Sequence, residues 1–167
     1  MYQELPRKSF FCEPGDIANT VGFVAEGAFR NYVVKDGVEI VRYFIFENDF
    51  VSEYKSFLTK QPSQEYMQVI EDAKLLTFTD KDLQALYDAY PIWERYGRLI
   101  SEGLFVLLSQ RINNLLLESP EERYLSLLRE TPEVFQRVPQ YMIASFLGMT
   151  PETLSRIRRR ITEGEIS

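Results

Sequence analysis

The sequence predicts an α+β chain: an N-terminal antiparallel β-roll of the jelly-roll kind, one long dimerisation helix, and a C-terminal helix-turn-helix bundle. Three observations carry this reading. Up to about Thr79, short apolar runs alternate with glycine, asparagine and aspartate turns. From Ile92 to about Leu117 no proline interrupts a stretch that is apolar on nearly every side. Near the C-terminus a short apolar helix, a turn glycine and a capped basic helix follow one another. The expected division is the β-roll over 1–90, the long helix over 91–117, and the helix-turn-helix domain over 118–167.

Composition bounds the function. The 167 residues are 45% hydrophobic and 14% aromatic, which supports a packed core and excludes disorder. No apolar run reaches the ~20 residues of a membrane helix, and Met1-Tyr2-Gln3-Glu4-Leu5-Pro6 does not read as a signal peptide. The single cysteine, Cys12, cannot close an internal disulfide. A cytoplasmic location without a membrane partner is expected. Cys12 is expected to be a strand residue and not a redox switch, because it has no resolving partner. Histidine is absent, which removes histidine acid–base chemistry, Ser-His and Cys-His pairs, and His-ligated metals. Carboxylates are plentiful, but no spacing singles out a pair. An enzyme is not expected, nor a metal or a cofactor.

The elements follow in order. Residues 21–25 and 28–34 flank Glu26-Gly27, and 28–34 and 38–46 flank Lys35-Asp36-Gly37. Asp-Gly tolerates the positive φ angles of a type I′ hairpin turn. Residues 66–70 and 75–79 read as a further pair. Thr79 with Asp82 forms an N-cap signal for a helix over 80–90. Pro91 suits the first position of the long helix. That helix is apolar on more than one face, through Trp93, Tyr96, Leu99, Leu104, Leu107, Ile112 and Leu116 among others, so it needs cover on more than one side. The same helix of a second subunit supplies that cover most simply. Ser119-Pro120-Glu121-Glu122 is a capping box that starts a helix running to about Glu130, and Thr131-Pro132 breaks it.

The C-terminal pair has the layout of a helix-turn-helix. Ile143 and Leu147, with Tyr141 or Phe146, are expected to form the inner face of the first helix. Gly148 fits the left-handed position that ends it. Thr150 is a good N-cap, Pro151 a good first residue, and Glu152 suits the positive end of the helix dipole. Leu154, Ile157 and Ile161 should face inward, leaving Glu152, Thr153, Arg156 and Arg160 on a different side. Arginine bonds guanine O6 and N7, and glutamate accepts from cytosine N4. Arg158 and Arg159 are expected to meet phosphates. Between Pro139 and Ile161, four arginines meet one glutamate, a local +3 within a net −6, so the remainder carries −9. A basic patch on an acidic body binds DNA locally. Thr150 completes the expected DNA-binding set. The alternative is a ligand-sensing or protein-interaction β-roll without specific DNA binding.

With these residues in view, the chain resembles the CRP/FNR family of bacterial transcription regulators over nearly its whole length. The strongest match is Ile143-Ala144-Ser145-Phe146-Leu147-Gly148 followed by Glu152-Thr153-Leu154-Ser155-Arg156-Ile157. The family's recognition helix carries an Arg-Glu-…-Arg set. Glu152 and Arg156 match its second and third members, and Pro151 stands in place of the first, so a different operator is implied. The resemblance implies double-stranded DNA as partner, a homodimer through the long helix, RNA polymerase as a further partner, and a small-molecule effector. It also implies a cyclic-nucleotide-binding-like roll. Asp49-Phe50-Val51-Ser52-Glu53-Tyr54 resembles the start of the family's phosphate-binding cassette, with Glu53 on a ribose hydroxyl. Where the family then has an Arg-Ser pair for the cyclic phosphate, this chain has Gln61-Pro62-Ser63-Gln64-Glu65-Tyr66. No cation occurs between Lys60 and Lys74, and Glu65 repels a phosphate. The candidate effector pocket is Arg42, Ser52, Glu53, Ser63 and Gln64, with Arg42 the cation that could arrive from elsewhere. The effector is unknown and cAMP is not expected to be it. Cysteine-ligated iron–sulfur and histidine-ligated haem sensing are unsupported. Little sequence follows the second helix, so a wing is not expected, and few residues precede the first expected strand.

Overall fold

The computed structural model describes residues 1–163, so the last four positions of the expected 118–167 domain lie outside the described residues. The chain forms two compact units that divide between Arg98 and Leu99. Unit 1 contains β1 (Tyr2–Leu5), β2 (Phe10–Cys12), β3 (Thr20–Lys35), β4 (Val38–Ile45), β5 (Phe50–Val51), α1 (Tyr54–Thr59), β6 (Tyr66–Thr79) and α2 (Asp80–Ala89). The division falls within α3 (Pro91–Leu117), and unit 2 adds α4 (Pro120–Glu130), α5 (Val134–Arg137), α6 (Gln140–Phe146) and α7 (Pro151–Thr162).

Unit 1 is a six-stranded antiparallel roll in the order β1-β6-β3-β4, with β2 also on β6 and β5 also on β3. The β3–β4 hairpin turns where Asp-Gly predicts it. Lys35 pairs with Val38, and the two turn residues both take positive φ, Asp36 at 53° and Gly37 at 78°. Two other expectations are corrected. Glu26-Gly27 is not a hairpin turn, and residues 66–70 and 75–79 are not two paired strands. Instead β3 and β6 are single long strands that pair with each other from Thr20↔Thr79 to Tyr32↔Tyr66. At the place where each was expected to turn, the ladder shifts register, with Glu26 opposite Lys74 and Ala28 opposite Glu71. Gly27 at φ 98° permits this bend, because a Cβ there would lie 2.5 Å from the Asp72 carbonyl oxygen and 2.7 Å from the Ala73 Cα. The glycine therefore marks a bulge between closely approaching backbones. β1 is also a correction, since an edge strand forms before the first expected one and pairs Tyr2 with Leu76 and Leu5 with Ala73.

The roll closes on Val24, Phe29, Val51, Met67, Val69 and Leu75, all at most 1% exposed. Each such side chain contributes about 1.5–3 kcal/mol by leaving water. Cys12 joins this core at 3% exposure, and burial pushes its thiol above the ordinary value, as suits an inert strand residue. The Thr79 hydroxyl accepts from the Asp82 backbone N–H and the Asp82 carboxylate accepts from the Thr79 N–H, which completes the capping box that starts α2.

Unit 2 packs on Tyr124, Leu127, Val134, Val138, Met142, Ile143, Ala144, Leu147, Leu154 and Ile157, all buried. Ser119 and Glu122 form the predicted capping box of α4. α5 is a single turn that the sequence did not indicate. It follows the Thr131-Pro132 break and buries Val134 to 2% exposure. No residue of α3 is fully buried. Among the described residues, no helix is long and apolar enough to cross a membrane.

Candidate functional site

The helix-turn-helix is built by local chemistry at its turn. Gly148 has φ 66°, its N–H donates to the Ser145 carbonyl at 3.1 Å, and the Met149 N–H donates to the Ala144 carbonyl at 3.0 Å. This pair of bonds is a Schellman motif, which ends α6 on a left-handed glycine. Two arginines complete the end of the helix. The Arg111 guanidinium donates to the Phe146 carbonyl and lies 3.9 Å over the Phe146 ring, and Arg123 Nε donates to the Leu147 carbonyl at 2.7 Å. Cations at a helix C-terminus satisfy orphan carbonyls and suit the dipole. Burial, then the neighbouring Arg123, lowers Arg111 to about 10, which leaves it charged at neutral pH. Sequence spacing gave no sign of either arginine's role, because both reach α6 from distant positions.

Thr150 then caps α7, its hydroxyl accepting from the Thr153 N–H at 3.2 Å. Glu152 sits in the first turn. Bonds from its own backbone N–H and the Thr150 hydroxyl hold its carboxyl below the ordinary glutamate value, so it is ionised at neutral pH. Leu154 and Ile157 are each 1% exposed and Ile161 is half-buried. One expectation for α6 is corrected. Tyr141 is 54% exposed and Met142 is buried in its place beside Ile143 and Leu147. The phase of a helix decides this, since at about 100° per residue Tyr141 projects away from the side that Ile143 and Leu147 share.

The seven expected DNA-binding residues share the start and the outer sides of α7. Thr150, Glu152, Arg156 and Arg159 are exposed, and Thr153, Arg158 and Arg160 are half-buried. Arg160 is held by Glu121 of α4, with Nη1 3.0 Å from Oε1. Glu121 is a residue that the sequence marked only as part of a helix start.

In the roll, the candidate effector residues fall into two groups. Ser52, Glu53 and Ser63 are buried, whereas Arg42 and Gln64 are exposed. The buried three turn to nearby backbone. Ser52 Oγ donates to the Thr20 carbonyl at 3.1 Å, and the Glu53 carboxylate accepts from the Ser56 N–H at 2.9 Å as the N-cap of α1. Ser63 Oγ donates to the Glu65 carbonyl at 3.0 Å and accepts from the Glu65 N–H at 2.9 Å. The Glu65 carboxylate pairs with the Arg42 guanidinium and accepts from Asn31 Nδ2 at 2.8 Å. Burial, then Glu65, pushes the Tyr43 phenol far above its ordinary value, with Glu53 and Asp49 adding to the shift and Arg42 opposing it. A separate cavity of about 280 Å³ is lined by Phe11, Cys12, Asp16, Ile17, Ala18, Asn19 and Thr20, and by none of the candidate effector residues.

Residues 2–90 match the cyclic nucleotide-binding domain family. No curated protein matches the chain in sequence. Among solved structures, FixK2 from Bradyrhizobium japonicum is similar over 98% of this chain and 85% of its own, with 19% identity and a TM-score of 0.82. The c-di-GMP responsive global regulator CLP from Xanthomonas campestris matches 99% of this chain and 87% of its own, with 20% identity and a TM-score of 0.75. A protein from Eubacterium rectale assigned to the CRP/FNR family of transcriptional regulators matches 98% of this chain and 79% of its own, with 20% identity and a TM-score of 0.73. At these identities the likeness establishes the fold.

Proposed function

Since this chain belongs to the cyclic nucleotide-binding domain family and has the fold of CRP/FNR transcription regulators, we propose that it is a sequence-specific DNA-binding regulator and not an enzyme. It acts in the cytoplasm as a homodimer. The observation that carries this reading is α7: a capped helix with Leu154 and Ile157 buried on one side and Glu152, Arg156 and Arg159 exposed on the other. Buried apolar and exposed Glu/Arg faces on the second helix of a tight-turn pair are what major-groove docking requires. The dimer is supported by the apolar residues that α3 leaves in water, among them Phe105 at 73%, Val106 at 53%, Leu107 at 52% and Leu116 at 75% exposure. Large apolar side chains left in water on several sides of one helix mark an interaction site, and a second α3 would cover one of those sides.

Two recognition helices of such a dimer meet major grooves one turn, about 34 Å, apart, on a roughly palindromic operator. Contact with RNA polymerase accompanies this role if the protein activates transcription. The roll senses something other than cAMP, because the cation that could hold a cyclic phosphate, Arg42, is paired with Glu65. Selection of bound sequences from a random DNA pool tests the reading. Enrichment of a two-fold-symmetric sequence is expected. A pool that remains unenriched would favour a ligand-sensing or protein-interaction module.

A further inference from the structure

We infer that Arg159, and not Arg160, joins Glu152 and Arg156 on the base-reading ridge of α7, while Arg158 and Arg160 flank that ridge and face the two phosphate walls. This rests on the DNA-binding reading above. Two independent observations separate the two arginines. The first is helical phase. At about 100° per residue, Glu152 and Arg159 project within about 15° of the direction opposite Leu154, Ile157 and Ile161, and Arg156 and Ser155 within about 55°. Arg158 and Arg160 lie about 90–115° from that direction, on opposite sides of it. Burial agrees with this geometry. Glu152, Ser155, Arg156 and Arg159 are all exposed, and Arg158 and Arg160 are half-buried.

The second observation is the Glu121 carboxylate. It holds Arg160 Nη1 at 3.0 Å, with the two side chains 41% and 33% exposed. The contact joins the first turn of α4 to the last turn of α7 and draws the guanidinium sideways. To reach a base edge, Arg160 would have to leave this carboxylate. To approach a phosphate beside the helix, it needs to release only part of its donor set, since a guanidinium carries five N–H groups. Arg159 has a clear outward path, one turn beyond Arg156 and two beyond Glu152. Exposed Glu163 follows it by four residues on the same face and ends the ridge with a charge that phosphate repels. The reading ridge is therefore Glu152, Ser155, Arg156 and Arg159, with Thr153 on the Arg160 flank.

The test compares Arg159→Ala, Arg159→Lys, Arg160→Ala and Glu121→Gln in the full chain, each run through selection from a random pool and titrated on the enriched operator and on mixed-sequence DNA at several salt concentrations. Arg159→Ala is expected to flatten the preference at one base pair per half-site and to lower the operator-to-mixed affinity ratio about tenfold or more. Arg159→Lys keeps the charge without the fork and should lose most of that preference too. Arg160→Ala is expected to weaken operator and mixed DNA by the same factor, with the salt slope reduced by about one. Glu121→Gln removes the ion pair but keeps an acceptor, and because helical phase still aims Arg160 at the flank it should leave the selected sequence unchanged. If Arg160→Ala flattens the selected sequence, or Arg159→Ala leaves it intact, the division of roles is wrong while DNA binding stands. If the unaltered protein enriches nothing, the DNA-binding reading itself falls, and this inference with it.

Discussion

Gly27 and Gly148 both sit at positive φ, yet the cost of a side chain differs sharply between them. At Gly27 a Cβ would strike backbone, 2.5 Å from the Asp72 oxygen, at φ 98°. At Gly148 the nearest atom is the movable Cδ2 of Leu115 at 3.3 Å, at φ 66°. Gly27→Ala is therefore expected to destabilise by about 2–5 kcal/mol and Gly148→Ala by about 1–2 kcal/mol, measured by urea unfolding. Equal losses would overturn the assignment of Gly27 as a point of backbone contact. A second residue-scale prediction concerns Glu122. Bonds from the Ser119 backbone N–H, then its hydroxyl, hold the Glu122 carboxyl below its ordinary value. A folded-state pKa below the unfolded one gives stability that is present at neutral pH and lost as pH falls through the folded value. The stability gap between the unaltered protein and Glu122→Ala should then be widest near neutral pH and close in acid. A gap that does not narrow would remove the ionised capping box from the account.

Elements here are decided by their ends and their stripes. The α7 helix has its N-cap at Thr150, its proline at the first position and a two-residue buried anchor in Leu154 and Ile157. Thr150→Ala should cost about 1 kcal/mol as a lost cap. Leu154→Ala should cost about 2–5 kcal/mol, because the side chain is 1% exposed and leaves a cavity among helices. Circular dichroism during thermal unfolding separates the two effects, and a larger loss for Thr150→Ala would mean that capping and not packing holds this helix. These features were legible in advance because each is local. A cap bonds within three residues, a glycine ends a helix at its own φ, and an apolar stripe repeats every three or four positions. The same locality explains the success at Asp36-Gly37 and the failure at Glu26-Gly27. Both contain glycine at positive φ. Only the first lacks a long partner strand across from it. β6 pairs with β3 on both sides of Gly27 and so turns a possible hairpin into a bulge.

At the scale of the whole molecule, association and sensing are the open consequences. The proposed dimer rests on α3, which leaves Leu107 at 52% and Phe105 at 73% exposure, so Leu107→Glu with Phe105→Glu is expected to sediment as a monomer and to lose the tight operator binding proposed for the dimer. A doubly substituted chain that sediments as a dimer would relocate the interface away from α3. Calorimetry with cAMP should give no binding heat, because Glu65 already takes Arg42 and no cation is nearby in sequence. Micromolar binding would show that the ion pair yields to phosphate. Little of this second site was legible beforehand. Glu53 could be placed in a cassette, but its role as the N-cap of α1 depends on where the chain turns after Val51. Asn31 and Tyr43 carried no signal, since a strand position says nothing about which carboxylate will face it across the sheet.

Sequence alone determined the fold class, the Asp36-Gly37 hairpin, the starts of α2, α3, α4 and α7, the Gly148 turn, and the inward stripe of Leu154 and Ile157. All of these rest on interactions spanning a few residues, where composition and spacing fix the outcome. Tertiary structure decided the rest: the unbroken β3–β6 ladder, the Arg42–Glu65 pair, the two arginines on the end of α6, and the Glu121 carboxylate that draws Arg160 aside. Each joins groups separated by tens of residues, and long side chains reach whichever opposite charge the fold brings near. The proposed ridge and flanks of α7 draw on both: helical phase sets the directions of Glu152, Arg156, Arg158 and Arg159, and the Glu121 carboxylate of α4 holds Arg160.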